Sequence, residues 1–319
     1  MKVVFLGTAD FGIPTLEALS RSSRHRMVAA VTGPDKPRGR GLASSPTPVG
    51  KWLATAGGTP VLKPEKLADP AFAASLRSFE ADVFVVVAFR ILPEMIYTIP
   101  RFAFNLHASL LPAYRGAAPI QRAIMAGEIK TGVTTFLLQK SVDTGAIIEQ
   151  VEQPIPPLAT AGDMFKSLSI LGAETVMRTL NLIDSGEFVP RQQDDRMASP
   201  APKLSDADLV LDFGMATTAL INRVRGLSPR PGATSTFREN PVKILALLPH
   251  NDASLQESAP GQIVAIDKSL GPIVQTRDGL VVFGRIQPSG KKPITGADFA
   301  RGYHPNVGER FHTLSPKQN

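Results

Sequence analysis

The strongest constraint on the fold is the alternation of short apolar segments with helical segments in the first hundred residues. Buried strands are predicted at Lys2–Gly7, Met27–Thr32 and Asp82–Phe89. Helices are predicted to begin near Pro14 and around Pro70, between these strands. Such an alternation predicts an α/β fold with a parallel, Rossmann-like sheet, and ligands bind beyond the carboxyl ends of its strands.

The composition changes after Val189, where charged, proline and small residues replace the periodic segments. We therefore predict a first domain at 1–189, a linker at 190–207 and a second domain at 208–319. The second domain is predicted to hold a helix at Ala216–Leu227 and then several short strands. Short strands separated by turn residues favour a small β-barrel or sandwich, and we expect a barrel like the oligonucleotide-binding (OB) type. These strands are ATSTF, VKILALL, GQIVAI, GPIVQT and GLVVFGRI.

Three polar residues interrupt apolar segments. Asn105 and His107 lie at the end of a further predicted strand, AFNLHA, and by alternation point to the same side of it. Asp143 occupies a Val-Asp-Thr-Gly turn between two apolar runs. Taken singly, each is more typical of a structural residue: a capping amide, a hydrogen-bonded histidine, a turn aspartate. Only their combination suggests a site.

Other features narrow the function classes. The Gly7–Gly12 segment carries Ala9 where a dinucleotide fingerprint has its middle glycine, so a tight turn is the better interpretation. The absence of cysteine excludes disulfides, thiolate catalysis and zinc–thiolate sites, and the histidines show no metal-ligand spacing. No apolar run is long enough to cross a bilayer, which fits a cytoplasmic protein. The net charge of +7 and the basic loop Gly33–Pro48 permit a polyanionic partner.

Together the motifs resemble a known family. The pattern N-x-H-x-S-L-L-P-x-x-R-G-x-x-P spans Asn105–Pro119, T-G-V-T follows at Thr131–Thr134, and D-T-G follows at Asp143–Gly145. This combination resembles the signature of formyltransferases that use 10-formyltetrahydrofolate. The similarity extends over nearly the whole chain and is closest to the members that formylate methionyl initiator tRNA.

The resemblance implies that Asn105, His107 and Asp143 are catalytic. An amide can donate a hydrogen bond to the oxyanion that forms when an amine attacks the formyl carbon. The imidazole can stabilise that oxyanion or carry a proton, and the carboxylate can orient the imidazole or accept the amine proton through water. Ser109 beside a histidine suggests a nucleophile, but the resemblance assigns Ser109 to the folate-binding wall instead.

The resemblance also implies two sets of binding residues and a monomer without metal. The 10-formyltetrahydrofolate cosubstrate is expected at Phe89, Arg90, Ile91, Leu92, Ser109, Leu110, Leu111 and Pro112. The initiator tRNA is expected at Lys36, Arg38 and Arg40 of the basic loop, with Arg40 as the key side chain, and at Arg223, Arg225, Lys291 and Lys292 of the second domain.

The sequence departs from the family pattern at three places. The basic loop continues as GRGLASS, where relatives carry lysines; Arg230 stands where an aromatic residue is expected; and AFRILP replaces a longer stretch. These departures affect tRNA contact and the shape of the folate pocket. Alternative acceptors are a nucleotide-linked amino sugar, glycinamide ribonucleotide, or water in a formyltetrahydrofolate hydrolase. A non-catalytic nucleic-acid-binding protein is the alternative from a different class.

Overall fold

A computed structural model describes residues 1–38, 43–252, 254 and 258–313. The chain forms two compact units, each built from separate stretches of sequence. The first unit contains Met1–Pro119, Lys130–Pro154 and Phe165–Ala201; the second contains Ile120–Ile129, Ile155–Met164 and Pro202–Asn319. Units defined by packing need not be continuous in sequence, so the domain bounds 1–189, 190–207 and 208–319 stay a prediction.

The first unit is an α/β sheet with helices between its strands. Two short 3-10 turns lie at Asp10–Gly12 and Asp195–Met197. In chain order the elements up to Ser185 are β1 (Lys2–Gly7), α1 (Ile13–Ser20), β2 (Arg26–Val31), β3 (Lys36–Arg38), β4 (Ala43–Ser45), α2 (Pro48–Ala56), β5 (Val61–Leu62), α3 (Pro70–Arg77), β6 (Val83–Val87), α4 (Glu94–Tyr97), β7 (Phe102–His107), α5 (Pro119–Ala126), β8 (Lys130–Leu137), β9 (Ile147–Pro154) and α6 (Ala161–Ser185). Of these, nearly all of α5 and the first residues of α6 belong to the second unit.

The strands of this sheet run in the order β5-β2-β1-β6-β7-β8-β9. The pairs from β5 to β7 are parallel, as the alternating pattern predicts, whereas β8 and β9 are antiparallel. The short connection between β8 and β9 accounts for the antiparallel pairing of these two strands, since a parallel pair would need a longer crossover. The chain moves outward from β1 through β2 and then returns to β6 on the other side. The switch point between β1 and β6 is where such sheets bind ligands.

The core of the sheet explains why β6 carries no polar residue. Val83, Phe84, Val85, Val86 and Val87 are all buried, which requires covered faces on both sides of the strand. The covering helices begin at residues suited to that position. Thr47 accepts a hydrogen bond from the Gly50 amide at the start of α2, and Asp69 accepts one from Ala71 at the start of α3.

The second unit is an antiparallel sheet with helices beside it. Its strands run in the order β12-β13-β14-β11-β10-β16, and β15 pairs with β14. All five short strands predicted from the sequence are present, and so is the helix predicted at Ala216–Leu227. Its elements are α7 (Asp206–Leu209), α8 (Thr217–Leu227), β10 (Ala233–Phe237), β11 (Asn240–His250), β12 (Ile263–Asp267), β13 (Gly271–Gln275), β14 (Leu280–Pro288), β15 (Ile294–Thr295), α9 (Gly296–Tyr303) and β16 (Phe311–His312).

Aromatic packing holds this sheet in a curled form. Phe283 and Phe311 meet edge to face at 4.6 Å between ring centroids, and Phe237 stacks on Phe311 at 4.8 Å. Leu220 and Val224 of α8 are fully buried in the same core. Phenylalanines from several strands therefore converge on one interior, which is how a small sheet buries enough apolar surface to close on itself. The predicted α/β domain followed by a small, barrel-like β domain is confirmed.

Candidate active site

Strand β7 presents Asn105 and His107 at its carboxyl end. The two residues lie on one side of the strand because side chains alternate along it. His107 is the last residue of the strand and is buried, whereas Asn105 is half-buried. Within the residues that the structure describes, the Asn105 side-chain amide has no hydrogen-bond partner. Its N–H groups are therefore free to donate to a ligand.

The imidazole of His107 is held through one nitrogen. Its Nε2 lies 2.8 Å from the backbone carbonyl oxygen of Tyr114. A carbonyl can only accept, so Nε2 carries the proton and Nδ1 is the nitrogen left for chemistry. Nδ1 faces the Asp143 carboxylate, with 3.9 Å between Nδ1 and Oδ2. This distance is too long for a direct hydrogen bond, and it leaves room for a shift of either group or for a bridging donor.

Asp143 reaches this position from a tight turn between β8 and β9. Its backbone has φ of +56°, in the left-handed region that aspartate tolerates better than most residues. Its Oδ2 accepts a hydrogen bond of 2.9 Å from the Gly116 amide. Gly145 completes the turn, where a Cβ atom would lie 1.7 Å from the Leu137 carbonyl oxygen, so only glycine fits there. The turn thus aims the carboxylate at His107.

The segment after β7 is fixed by the neighbouring strands. The Ser109 hydroxyl donates to the Ala113 carbonyl at 2.6 Å, and Ser109 is almost fully buried. Its own carbonyl accepts from the Thr134 hydroxyl, which also accepts from the Leu111 amide. Ser109 therefore stabilises the fold of this segment, and its hydroxyl donates its hydrogen bond to a carbonyl rather than to a histidine. This geometry is that of a structural serine and not of an activated nucleophile.

A polar pocket of about 270 Å³ opens beside the carboxyl ends of β1 and β2. Two cations line it, Lys36 and Arg90, together with the carboxylate of Glu65. The Arg90 guanidinium donates to the backbone carbonyls of Pro64 and Glu65 at 2.7 and 3.0 Å, which fixes its position without neutralising its charge. The remaining lining residues are Thr8, Gly33, Pro34, Ser45 and Thr47.

Comparison with known families agrees with the sequence motifs. The family described as "Formyl transferase" matches residues 1–180, and the family described as "Formyl transferase, C-terminal domain" matches residues 203–304. The chain belongs to the formyltransferase family. A methionyl-tRNA formyltransferase of Chlorobium luteolum is 43% identical over 97% of this chain and 99% of its own length. One from Thermobifida fusca is 41% identical over 98% of this chain and 99% of its own length.

Solved structures show the same fold at lower identity. HypX of Aquifex aeolicus in complex with tetrahydrofolic acid is 18% identical, with a TM-score of 0.66, over 99% of this formyltransferase and 51% of that longer chain. An N-formyltransferase of Helicobacter canadensis in complex with folinic acid and dTDP-3-aminofucose is 16% identical, with a TM-score of 0.64, over 90% of this chain and 99% of its own. These similarities concern the fold alone.

The predicted folate residues of this formyltransferase lie on two segments that follow adjacent strands. Leu111 belongs to a small apolar cluster with Phe136 and Ile147. Ile91, which follows β6, is 72% exposed. Leu92 is buried in the core, and Phe89 packs against the same cluster. Pro112 and Leu110 are half-buried after β7.

The predicted tRNA residues of the second unit divide into two kinds. Arg225 donates to the carbonyls of Ala159 and Pro156, at 2.9 and 3.1 Å, and burial lowers the pKa of its guanidinium. Arg223 donates to backbone carbonyls at 3.3 and 3.4 Å. Lys291 and Lys292 are exposed. The two arginines therefore serve the packing of their own unit, while the two lysines face solvent.

The basic loop is only partly described. Lys36 lies on β3 and lines the polar pocket. Arg38 is the last residue of β3, and its side chain is outside the described part of the structure. Arg40, expected to be the key side chain of this loop, also lies outside the described residues.

Sequence reasoning missed Gln193, which contacts the Asp143 turn from the segment predicted as a linker. Its Nε2 donates to the carbonyls of Asp143 and Gly145. Its Oε1 accepts from the Arg115 guanidinium. No periodicity or motif marks this glutamine, because the contact depends on a return of the chain from beyond α6.

Neither a metal-binding cluster nor a membrane-spanning helix is found in the described ranges. Among these residues no group of three or more histidines or carboxylates is placed to hold a metal ion. No helix formed by them is long and apolar enough to cross a membrane.

Proposed function

We propose that this formyltransferase transfers the formyl group of 10-formyltetrahydrofolate to the α-amino group of methionyl initiator tRNA. The observation that carries the proposal is the convergence of Asn105, His107 and Asp143 at the carboxyl edge of the sheet. There, an amide without a hydrogen-bond partner among the described residues lies on the same strand face as an imidazole whose Nδ1 faces a carboxylate. This set supplies an oxyanion donor and a proton-transfer pair.

The chemistry needs no covalent enzyme intermediate. A neutral α-amine attacks the formyl carbon and forms a tetrahedral oxyanion, which the Asn105 amide stabilises by donating a hydrogen bond. The amine then loses a proton, and the nitrogen of the departing tetrahydrofolate gains one. We assign this transfer to the His107 and Asp143 pair, since Nδ1 of the imidazole and Oδ2 of the carboxylate face one another. The result is a formamide and tetrahydrofolate, with no net change in protons.

Folate is proposed to bind against the segments that follow β6 and β7. Support comes from the exposed side chain of Ile91 and the half-buried Leu110, which would offer apolar contacts to a flat pterin. Both segments leave the sheet at neighbouring strands, next to Asn105. Phe89, Leu92, Ser109 and Leu111 are proposed to shape this wall from beneath, because they are packed or hydrogen-bonded into the protein.

The polar pocket offers charged contacts to the acceptor. Lys36 and Arg90 were assigned to different substrates from the sequence, yet they line the same pocket. The two cations and the hydroxyls of this lining are good partners for a sugar–phosphate chain. We therefore assign Arg90, together with Lys36, to the end of the acceptor RNA.

The choice of tRNA over a small acceptor is supported by the relatives. The relatives that are about 40% identical over nearly the whole chain are methionyl-tRNA formyltransferases. The formyltransferase bound to an amino-sugar nucleotide is only 16% identical. The second domain and the basic loop add surface that glycinamide ribonucleotide does not need. We include a cytoplasmic location and a monomeric state in this proposal, and gel filtration tests the latter.

A single assay separates the candidates. Purified protein and 10-formyltetrahydrofolate are incubated with methionine-charged initiator tRNA, methionine-charged elongator tRNA, an amino-sugar nucleotide, or no acceptor. Formylation of the initiator tRNA alone is expected. Transfer to the sugar without transfer to the tRNA would replace the proposal with the small-acceptor alternative, and formate release without acceptor would indicate a hydrolase.

A further inference from the structure

Gln193 connects the two backbone segments that place the Asp143 carboxylate. Its Nε2 donates to the carbonyl of Asp143 at 3.0 Å and to that of Gly145 at 2.8 Å. Its Oε1 accepts from Nε and Nη2 of Arg115 at 3.1 and 2.8 Å. Both hydrogens and both lone pairs of the amide are therefore used, and this fixes its orientation.

The Arg115 side of this contact leads back to the same carboxylate. Gly116, the next residue, donates its amide hydrogen to Oδ2 of Asp143 at 2.9 Å. The backbone of Arg115 is itself held, since its amide donates to the Ser199 carbonyl and its carbonyl accepts from the Ala201 amide. A Cβ atom at Gly116 would lie 2.5 Å from the Ala201 carbonyl oxygen, so the loop has little room to move.

The connection matters because the Asp143 turn is not self-sufficient. Asp143 adopts a positive φ, a conformation that costs free energy unless the surroundings maintain it. Within the turn, Thr144 donates to Ser141 and accepts from Gln139, but these bonds do not hold the carbonyls of Asp143 and Gly145. Gln193 holds both of those carbonyls.

We propose that Gln193 is a positioning residue for catalysis, which sets the distance between the Asp143 carboxylate and Nδ1 of His107. This inference rests on the proposed catalytic role of Asp143. A displacement of about 1 Å at a reacting group can cost on the order of 10²-fold in rate, so the loss of Gln193 lowers kcat by about 10- to 100-fold. Because Gln193 does not contact a substrate in this scheme, KM for both substrates stays nearly unchanged.

Gln193→Glu is the decisive variant because it separates the two halves of the contact. A glutamate still accepts from Arg115, and more strongly, but it cannot donate to the two carbonyls and would repel them. Gln193→Met has a similar length and makes neither contact. We expect both variants to lose kcat. A Gln193→Glu enzyme with nearly full kcat would overturn the proposal and reduce Gln193 to an anchor for Arg115.

Gln192→Glu is the matched control, since Gln192 is an exposed neighbour of the same type. It introduces the same charge one residue away and should leave kcat unchanged. Thermal unfolding of all variants shows whether the first unit remains folded. Gln193→Met removes the hydrogen bonds without adding a charge, so it tests the proposal if Gln193→Glu fails to fold.

A double-mutant cycle distinguishes positioning from general structural damage. Single-turnover rates are measured with excess enzyme for Asp143→Asn, for Gln193→Glu and for the double variant. If Gln193 acts through the carboxylate, its substitution costs little further rate in the Asp143→Asn background. The same loss in both backgrounds would overturn the inference. An Asp143→Asn enzyme with wild-type rate would instead refute the proposed role of Asp143, which is a separate outcome.

Discussion

The proposed catalytic residues of the first unit and the cationic residues of the second unit use hydrogen bonding in the same way. At the edge, His107 and Asp143 are tied to backbone groups, and the Asn105 amide is without a partner in the described structure. In the second unit, Arg122 and Arg225 are tied to groups of that unit. Lys291 and Lys292 are exposed, with no side-chain partner among the described residues. The comparison suggests that atoms left without hydrogen-bond partners, such as the Asn105 amide nitrogen and Nδ1 of His107, meet the substrates, while hydrogen-bonded atoms hold the framework.

Asn105→Ala should give the largest effect. The loss of an oxyanion donor costs about 10²–10³ in kcat. The affinity for tRNA and the melting temperature should change little, because the amide makes no hydrogen bond in the described structure. Rapid-quench formylation and a filter-binding titration measure the two quantities. If the affinity for RNA and the melting temperature both fell strongly, Asn105 would be a structural residue. An amide without a hydrogen-bond partner would then not indicate substrate contact.

The sequence predicted this amide but could not predict its availability. Alternation along β7 placed Asn105 beside His107, and the Asp-Thr-Gly pattern placed Asp143 in a turn, because both signals are local. The 3.9 Å between Nδ1 and Oδ2 depends instead on the register of β7 against β8 and on the fold of the hairpin. The part played by Gln193 was also invisible, because it depends on tertiary contacts of a segment without periodicity.

The role of a charged side chain is equally hard to predict from local sequence. Strands β10 to β14 and helix α8 were predicted close to their observed bounds, since period and turn residues define them. The sequence nevertheless grouped Arg223 and Arg225 with Lys291 and Lys292 as tRNA candidates. The local sequence shows that a residue is basic. It does not show whether the N–H groups of its side chain already donate hydrogen bonds to backbone carbonyls.

Arg122→Met tests the bonded class and should give the next largest effect, on stability. Its guanidinium makes two hydrogen bonds to Asp208, at 2.7 and 2.8 Å, and both side chains are mostly buried. This pairing holds the pKa of the Asp208 carboxyl well below its usual range. Breaking such a pair leaves a poorly solvated carboxylate, and we expect a loss of about 1–3 kcal/mol in the free energy of unfolding near neutral pH.

The pH dependence gives this prediction a sign. Asp208 has a lower pKa in the folded than in the unfolded protein, so its contribution is complete above the unfolded value of about 4 and is lost as pH falls below it. Urea unfolding at pH 7 and pH 3 should therefore show a smaller difference between wild type and Arg122→Met at the lower pH. A constant difference would mean that packing, and not the ion pair, stabilises this position.

Arg90→Met sharpens the comparison at the polar pocket, where an arginine is both held by carbonyls and open to a ligand. We expect KM for charged tRNA to rise several-fold to about tenfold, as for the loss of one charged contact to phosphate, while KM for 10-formyltetrahydrofolate is unchanged. Lys36→Met, on the same pocket, should act on the same parameter. A change in the folate KM alone would return Arg90 to the folate wall.

Lys291→Ala with Lys292→Ala should give the smallest effect at low salt. Each exposed lysine that contacts phosphate contributes mainly through counterion release, so its removal weakens tRNA binding a few-fold and lowers the slope of log affinity against log salt by about one. Binding titrations between low and moderate salt measure this slope, with Arg310→Ala in the same unit as a control, because its Nε already donates to the Pro260 carbonyl at 2.7 Å. An unchanged slope for the double lysine variant would show that these two side chains are only solvated. The relation between missing hydrogen-bond partners and substrate contact would then not extend from the proposed catalytic residues to the second unit.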